Sequence, residues 1–369
     1  MRVTVDAVPL LYRSAGVKNY LYYWIRHLLR EAGDMEIRLF PFLREPRSLD
    51  HDSSGADFLT TFTRLGLMFA LNRIPLGLAQ WIGPRPDVFH AAKLKYPPRA
   101  ARLTATVHDL TWNTMPEMHS PANVAAERIF AERVLRRADG LIAVSEATRA
   151  DAVRILRLAP EKIRVIHHGV AEEFFRAGPA EAEGARTRLG LPRPYALFVG
   201  TVEPRKNVGL LLDAWLGLSR MLRDEFDLVI AGPAGWRQRE TLARLRNPPP
   251  GVRYLGYVPQ RDLPGLVAGA TAFVYPSLYE GFGFPVAQAM AAGVPVVTSA
   301  VSSLPEIAGG AAVLVDPRSE AEVRRALEDV LTSPERRRGM IERGRRNAGR
   351  FSWSECARRS IAFFRDAAG

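Results

Sequence analysis

Short β-branched or apolar runs alternate with longer stretches of helical period along the whole chain, the pattern of parallel βα units. In the first half, residues 3–7, 36–40, 88–90, 104–108, 141–144 and 163–167 predict strands, and 18–30 and 124–136 predict helices. Ser145 reads as the cap of a third helix, with Glu146 in its first turn where the helix dipole favours negative charge. A polar stretch at 176–194, carrying Gly178, Pro179, Gly184, Pro192 and Pro194, breaks the pattern and predicts a linker. Beyond it, strands at 195–199, 226–231, 271–275, 294–298 and 312–315, each trailed by a helix, predict a second parallel sheet. The fold class is therefore α/β. At 369 residues the chain is too long for one ordinary core, and it divides at the linker into a domain at 1–175 and a second beginning at 195.

In parallel sheets of this kind ligands bind beyond the carboxyl ends of the strands, so the loops just after them carry the candidate chemistry. After the strand at 195–199 comes Gly200-Thr201-Val202-Glu203-Pro204-Arg205-Lys206-Asn207. Two adjacent cations at a strand-to-helix turn, beside the free N–H groups of a helix N-terminus, make a diphosphate clamp. After the strand at 271–275 comes Glu280-Gly281-Phe282-Gly283-Phe284-Pro285, leading into a helix that contains Gln288. Gly281 and Gly283 allow a sharp turn and close approach to a ligand, and Pro285 suits a first helical turn. Glu280 and Gln288 can both address the space at the start of this helix, as acceptors for a hydroxyl-rich ligand.

The net charge of +12 favours acidic partners such as nucleotide diphosphates or anionic lipid headgroups. It does not point to nucleic acid, because the chain has no zinc-finger spacing, no aromatic-basic RNA motif and no basic arm. The most apolar long segment, 61–82, is interrupted by Arg64, Arg73, Pro75 and Gln80 and is too broken to span a membrane. A buried helix is the favoured reading there over one lying at a lipid interface. The first six residues read as a strand without the layout of a signal peptide, which predicts a cytoplasmic protein. The single cysteine, Cys356, can form neither an internal disulfide nor, alone, a zinc site, and it reads as packing. Asp50-His51-Asp52 has the spacing of a metal-binding motif but sits in a polar loop, so it reads as coincidental.

The run from 277 to 317, with Glu280-Gly-Phe-Gly-Phe-Pro, Ala291-Ala-Gly-Val-Pro-Val-Val, Ser303-Leu-Pro-Glu306 and Asp316-Pro317, resembles the donor-binding half of retaining glycosyltransferases of family 4. The segment 200–207 is similar to that of bacterial mannosyltransferase-like members. Val107-His-Asp-Leu110, Ala143-Val-Ser145, Val165-Ile-His-His-Gly-Val170 and Phe351-Ser-Trp353 extend the resemblance over nearly the whole chain. It implies the GT-B arrangement, two Rossmann-like domains facing across a cleft, with an N-terminal acceptor-binding domain, a C-terminal nucleotide-sugar-binding domain at 195–351 and a last helix at 352–369 crossing back to the first.

By the same resemblance Arg205 and Lys206 hold the donor diphosphate and Glu280 contacts the transferred sugar. Gly200, Gly281 and the backbone N–H groups of Phe282, Gly283 and Phe284 lie near the donor, Gly16 approaches its phosphate, His108 bonds the sugar, and Asp109 lies on the acceptor side. An aspartate after a strand also commonly caps the next turn. One position departs from the family: Gln288 stands where a ribose-binding glutamate is usual, and it lacks the charge that makes a carboxylate–hydroxyl bond roughly twice as strong.

The implied reaction moves a sugar, mannose from GDP-mannose or a UDP-linked hexose, with retention of configuration. The acceptor is a glycan or lipid-linked saccharide of cell-envelope polysaccharide synthesis. The resemblance implies no cofactor and no metal, since Arg205, Lys206 and backbone donors substitute for a divalent ion. The basic surface is compatible with peripheral contact with anionic membrane at its inner face. The competing readings are a nucleotide-sugar epimerase or a glycan phosphorylase on a similar fold, and a non-catalytic nucleotide-sugar-binding protein, the last suggested by Gln288.

Overall fold

The structure, a computed structural model, describes residues 1–12, 16–46, 49–73 and 85–369, the side chains of residues 69–73 excepted. The chain divides into two compact units, residues 1–169 with 352–369 and residues 170–351.

Unit one is built on β1 (Arg2–Asp6), β2 (Glu36–Phe40), β3 (Val88–Ala91), β4 (Arg102–Val107), β5 (Gly140–Ala143) and β6 (Ile163–Val165), in the order β2-β1-β3-β4-β5-β6 with every pair parallel. Val88–Ala91 and Gly140–Ala143 are buried throughout, as strands covered on both faces require. The helix Gly16–Glu31 buries Tyr20, Leu21, Trp24, Ile25 and Leu28, a spacing that makes one apolar stripe. Against it lies the last helix, Trp353–Ala368, which returns to unit one and buries Cys356, Ala357, Ser360, Ile361 and Phe364. Trp24 Nε1 donates to Ser360 Oγ at 3.0 Å, and Gly169 is obligatory because a Cβ there would come within 2.3 Å of the Trp353 nitrogen. Burial pushes the Cys356 thiol up to about 12, which keeps it inert.

The segment 61–82 departs from the buried-helix expectation. It begins inside the helix Phe58–Arg73, where Met68 is buried but Phe62 stands in solvent; the side chains of 69–73 and residues 74–82 lie outside what is described. Among the described residues no helix is long and apolar enough to cross a membrane.

Unit two is built on β7 (Tyr195–Val199), β8 (Asp227–Ala231), β9 (Val252–Gly256), β10 (Ala272–Tyr275), β11 (Val296–Ser299) and β12 (Val313–Val315), all parallel, in the order β12-β11-β10-β7-β8-β9. Read from β9, this is the doubly wound order whose direction reverses between β7 and β10, so the loops after those two strands flank the crevice where such sheets bind ligands. β9 is absent from the sequence expectation. It is a half-buried edge strand, entered from Pro248, Pro249 and Pro250 and broken by Arg253. The stretch 176–194 contains the helix Pro179–Leu189, which packs on Leu263–Ala268 inside unit two; a Cβ on Gly265 would come within 2.4 Å of the Glu181 carbonyl.

Candidate active site

The loop after β7 is held by the loop after β8. Gly200 N–H donates to Ala231 O (2.9 Å), Val202 N–H to Pro233 O (3.0 Å) and Gly235 N–H to Val202 O (3.1 Å). Gly232, at φ +144°, brings its backbone so close that a Cβ would stand 2.0 Å from Gly200 O. Pro204–Lys206 then forms a single 3₁₀ turn, and Asn207, left-handed at φ +60°, enters the helix Val208–Leu216. Its amide donates to Pro276 O (3.2 Å) and Pro317 O (2.6 Å), while Leu278 N–H and Ser277 Oγ donate to Arg205 O at 2.8 and 3.1 Å. The two loops at the switch point are thus zipped together.

Their side chains converge on Glu280. Its Oε1 accepts from Lys206 Nζ (2.6 Å), Ser277 Oγ (2.6 Å) and Tyr275 OH (3.0 Å), and its Oε2 pairs with Arg205 at 3.0 Å. Arg205 also donates to Tyr279 O and to Glu203 Oε1, each at 2.7 Å. Lys206 Nζ donates to Tyr275 OH at 2.7 Å. Burial alone would raise the Glu280 carboxyl, but Arg205, Lys206 and the Lys206 and Ser277 hydrogen bonds outweigh it and hold the pKa at about 2. Burial and the adjacent Arg205 draw the Lys206 ammonium below its usual range, against the pull of Glu280 and Glu203. Two cations therefore face two buried carboxylates, Glu203 and Glu280, and the cluster is balanced in charge.

Gly281, Phe282 and Gly283 carry the chain from Glu280 to the helix Phe284–Ala291. Gly283 stands at the N-cap with φ +101°, and Ser303 Oγ fixes the turn by donating to Glu280 O (3.0 Å) and Phe282 O (2.8 Å). Gln288 is buried near the start of this helix, and its amide makes no hydrogen bond among the described residues. Sequence reasoning did not single out Glu203, Tyr275 or Ser277. The available signal was their position, a carboxylate two residues before Arg205 and a hydroxyl three before Glu280.

In unit one, His108 follows β4 directly. Its ring meets Tyr20 edge-on at 5.0 Å, and its Nε2 is shut from solvent with no hydrogen-bond partner among the described residues. Burial and the charge of Lys93 push its pKa down to about 3. Tyr20 also lies against His168 (4.4 Å) and Trp24 (5.1 Å), while His90 bonds Thr104 Oγ1 and Thr106 Oγ1 at 3.0 and 2.9 Å. Sequence reasoning did not mark Tyr20, His90 or His168 as neighbours of His108, because they come from the helix Gly16–Glu31, from β3 and from the loop after β6, far apart along the chain.

Asp109 turns back on its own loop: Oδ1 accepts from Thr111 N–H (3.1 Å) and Thr111 Oγ1 (2.7 Å), closing a side-chain turn at the entry to Thr111–Thr114. Gly16 opens the helix Gly16–Glu31; Arg13, Ser14 and Ala15 of its loop lie outside the described residues. The loop of Asp50-His51-Asp52 is held from below, the Lys18 ammonium donating to the carbonyls of Asp50 and Ser53. Among the described residues no group of His, Cys, Asp or Glu side chains is placed to hold a metal ion.

Residues 14–174 match the family Glycosyltransferase Family 4, and residues 181–347 match Glycosyl transferases group 1. The O-antigen chain mannosyltransferase B of Escherichia coli is 31% identical over 98% of each chain. Among solved structures, sucrose-phosphate synthase from Thermosynechococcus elongatus aligns with a TM-score of 0.72 at 19% identity, covering 99% of this chain and 98% of that one. The Anabaena HepE protein in complex with UDP and glucose aligns with a TM-score of 0.72 at 18% identity, covering 98% of both. At those identities the structural matches support the fold, GT-B, and the sequence matches carry the activity. The chain is a glycosyltransferase and belongs to family 4, among its bacterial mannosyltransferase-like members.

Proposed function

We propose that the protein transfers mannose from GDP-mannose, with retention of configuration and without a metal ion, onto a glycan or lipid-linked saccharide of a cell-envelope polysaccharide. The observation that carries this reading is the Arg205–Lys206–Glu280 cluster at the switch point of unit two, taken with the likeness to an O-antigen chain mannosyltransferase. Breaking the glycosyl–phosphate bond leaves negative charge on the departing diphosphate and an oxocarbenium-like sugar. Fixed cations aimed at that charge lower the barrier. Arg205 and Lys206 supply them.

The charge balance of the cluster gives the donor a defined way in. A diphosphate takes over Arg205 and Lys206 from Glu280, and the released carboxylate oxygens turn to the hydroxyls of the transferred sugar. With its pKa near 2, Glu280 stays anionic and acts as an acceptor, not as a general acid. The acceptor hydroxyl attacks on the face the diphosphate leaves from, and its proton passes to the departing phosphate oxygen, so no side-chain nucleophile takes part. His108 is neutral, because burial disfavours its charged form, and its Nε2 is an uncommitted hydrogen-bonding atom among the described residues of unit one.

The test is a panel of GDP-mannose, UDP-glucose, UDP-galactose and UDP-N-acetylglucosamine in a thermal-shift assay, with and without EDTA, against the wild type and Lys206→Ala. The reading expects a shift with GDP-mannose that EDTA leaves intact and Lys206→Ala removes. A shift with a UDP-sugar alone overturns the donor, and loss of the shift in EDTA overturns metal independence.

A further inference from the structure

The loop after β11 holds a serine in a place that suits glycine. Leu304 N–H donates to Val301 O at 3.3 Å and closes a turn at the entry to the helix Leu304–Ala308; Ser302, the second residue of that turn, stands at φ +53°. Positive φ at the second position of a turn is dominated by Gly, Asn and Asp, because a Cβ there crowds the backbone. Residues kept in such a conformation cost free energy and gather where a group has to be held in one place. Of the other described non-glycine residues with positive φ, Arg157 ends a helix, where the left-handed form is ordinary, and Asn207 belongs to the clamp loop.

The hydroxyl accounts for the residue. Glu280 N–H donates to Ser302 Oγ at 2.9 Å, and the next side chain, Ser303, donates to Glu280 O at 3.0 Å. Two successive residues of one turn therefore hold both polar groups of the Glu280 backbone. The chain is fixed on either side as well, since Tyr279 O accepts from Arg205 at 2.7 Å and Phe282 O from Ser303 Oγ at 2.8 Å. A glycine at 302 would sit in the turn without strain but would offer Glu280 N–H no acceptor, so the strain is kept together with the bond. In the proposed reaction a diphosphate takes Arg205 and Lys206 from Glu280, which leaves the carboxylate with the hydroxyls of Ser277 and Tyr275. The backbone beneath it then decides where its released oxygen points.

We infer that Ser302 is a positioning residue for sugar transfer: through Glu280 N–H it holds the pivot about which the Glu280 carboxylate turns from the cations to the hydroxyls of the transferred sugar. The inference rests on the reading of Glu280 as the carboxylate that meets that sugar. It is tested by titration calorimetry of GDP-mannose and of GDP, each against wild type, Ser302→Gly, Ser302→Asn and Glu280→Gln. The ratio of the two affinities reads the sugar contact with the diphosphate contact divided out. Ser302→Gly is expected to melt close to the wild type, since strain is relieved as a bond is lost, and to lower the ratio about threefold to tenfold. Ser302→Asn, which accepts a positive φ and presents a side-chain carbonyl, is expected to recover part of that loss. A changed melt with an unchanged ratio in Ser302→Gly assigns Ser302 to folding alone and overturns the inference. If Glu280→Gln lowers the ratio and Ser302→Gly does not, the inference fails and the reading of Glu280 stands; an unchanged ratio in both variants overturns the two together.

Discussion

Lys206 and Glu280 meet at 2.6 Å inside unit two, their side chains 11% and 10% exposed and each the other's nearest counter-charge. Breaking a buried pair outright costs about 3–5 kcal/mol because one charge is left uncompensated. Arg205 remains on Glu280 Oε2, so Lys206→Ala is expected to cost less, about 2 kcal/mol. Urea melts of the two proteins without nucleotide measure it. A change near zero would mean that Arg205, Ser277 and Tyr275 hold Glu280 unaided.

Glu203 is the second carboxylate of the cluster, and it bonds Arg205 at 2.7 Å. In Glu203→Gln the side-chain oxygen still accepts from Arg205, but one negative charge is gone and the cation pair is no longer balanced. Free GDP or UDP is therefore expected to bind more tightly, by about threefold to tenfold, which is up to about 1.4 kcal/mol. Isothermal titration checks it. Weaker binding would show that Glu203 aims Arg205 and that its charge is secondary.

The cations and Glu280 were legible in the sequence because they sit in short loops whose flanking Gly200, Pro204, Gly281 and Gly283 declare a turn after an apolar run. Their mutual pairing was not, since it depends on Leu278 and Ser277 bonding the Arg205 carbonyl, a contact made only once β7 and β10 lie side by side. Eleven of the twelve described strands match runs read from the sequence, the central ones because a strand covered on both faces is a continuous apolar run; β9 at the sheet edge buries little beyond Val252. The helix Phe58–Arg73 misled in the other direction, because apolar content alone does not say which face is buried.

Two buried histidines, His90 and His168, and the partly buried His108 give the protein an acid limit. Burial holds His90 and His108 at about 3 and His168 well below its usual 6.5. Below pH 6.5 the unfolded chain takes up protons that the folded one refuses, so their contribution is complete above 6.5 and is lost as pH falls from there toward 3. Glu280, at about 2 against its ordinary 4.5, adds a further loss below 4.5. Urea midpoints are expected to fall steadily from pH 7 to pH 4.5, and His108→Asn to flatten that slope. An equal slope in the variant would place the titration elsewhere.

Gly232→Ala tests the support of the clamp loop. The new Cβ would stand 2.0 Å from Gly200 O in a backbone conformation, φ +144°, that side chains rarely adopt. Relief requires the loop at 200–203 to move, and with it Arg205. Strain of this kind costs about 1–3 kcal/mol, and diphosphate binding is expected to weaken by a larger factor than stability suggests, because the cations lose their aim. Titration of GDP against the melt of the same variant separates the two effects.

Gln288→Glu tests whether the side chain at this position of the helix Phe284–Ala291 meets the donor. Its amide is uncommitted among the described residues, so a ligand hydroxyl can be met without breaking an existing bond. Replacing it with glutamate adds charge to an acceptor near a helix N-terminus, which favours the anion and strengthens a bond to a hydroxyl. The same burial makes an unliganded carboxylate costly. Gln288→Glu is therefore expected to lower the melting temperature of the free protein and to tighten donor binding by about tenfold, about 1.4 kcal/mol, with the larger effect on KM than on kcat. If binding is unchanged while the free protein is destabilised, the side chain does not reach the donor and Gln288 serves packing alone.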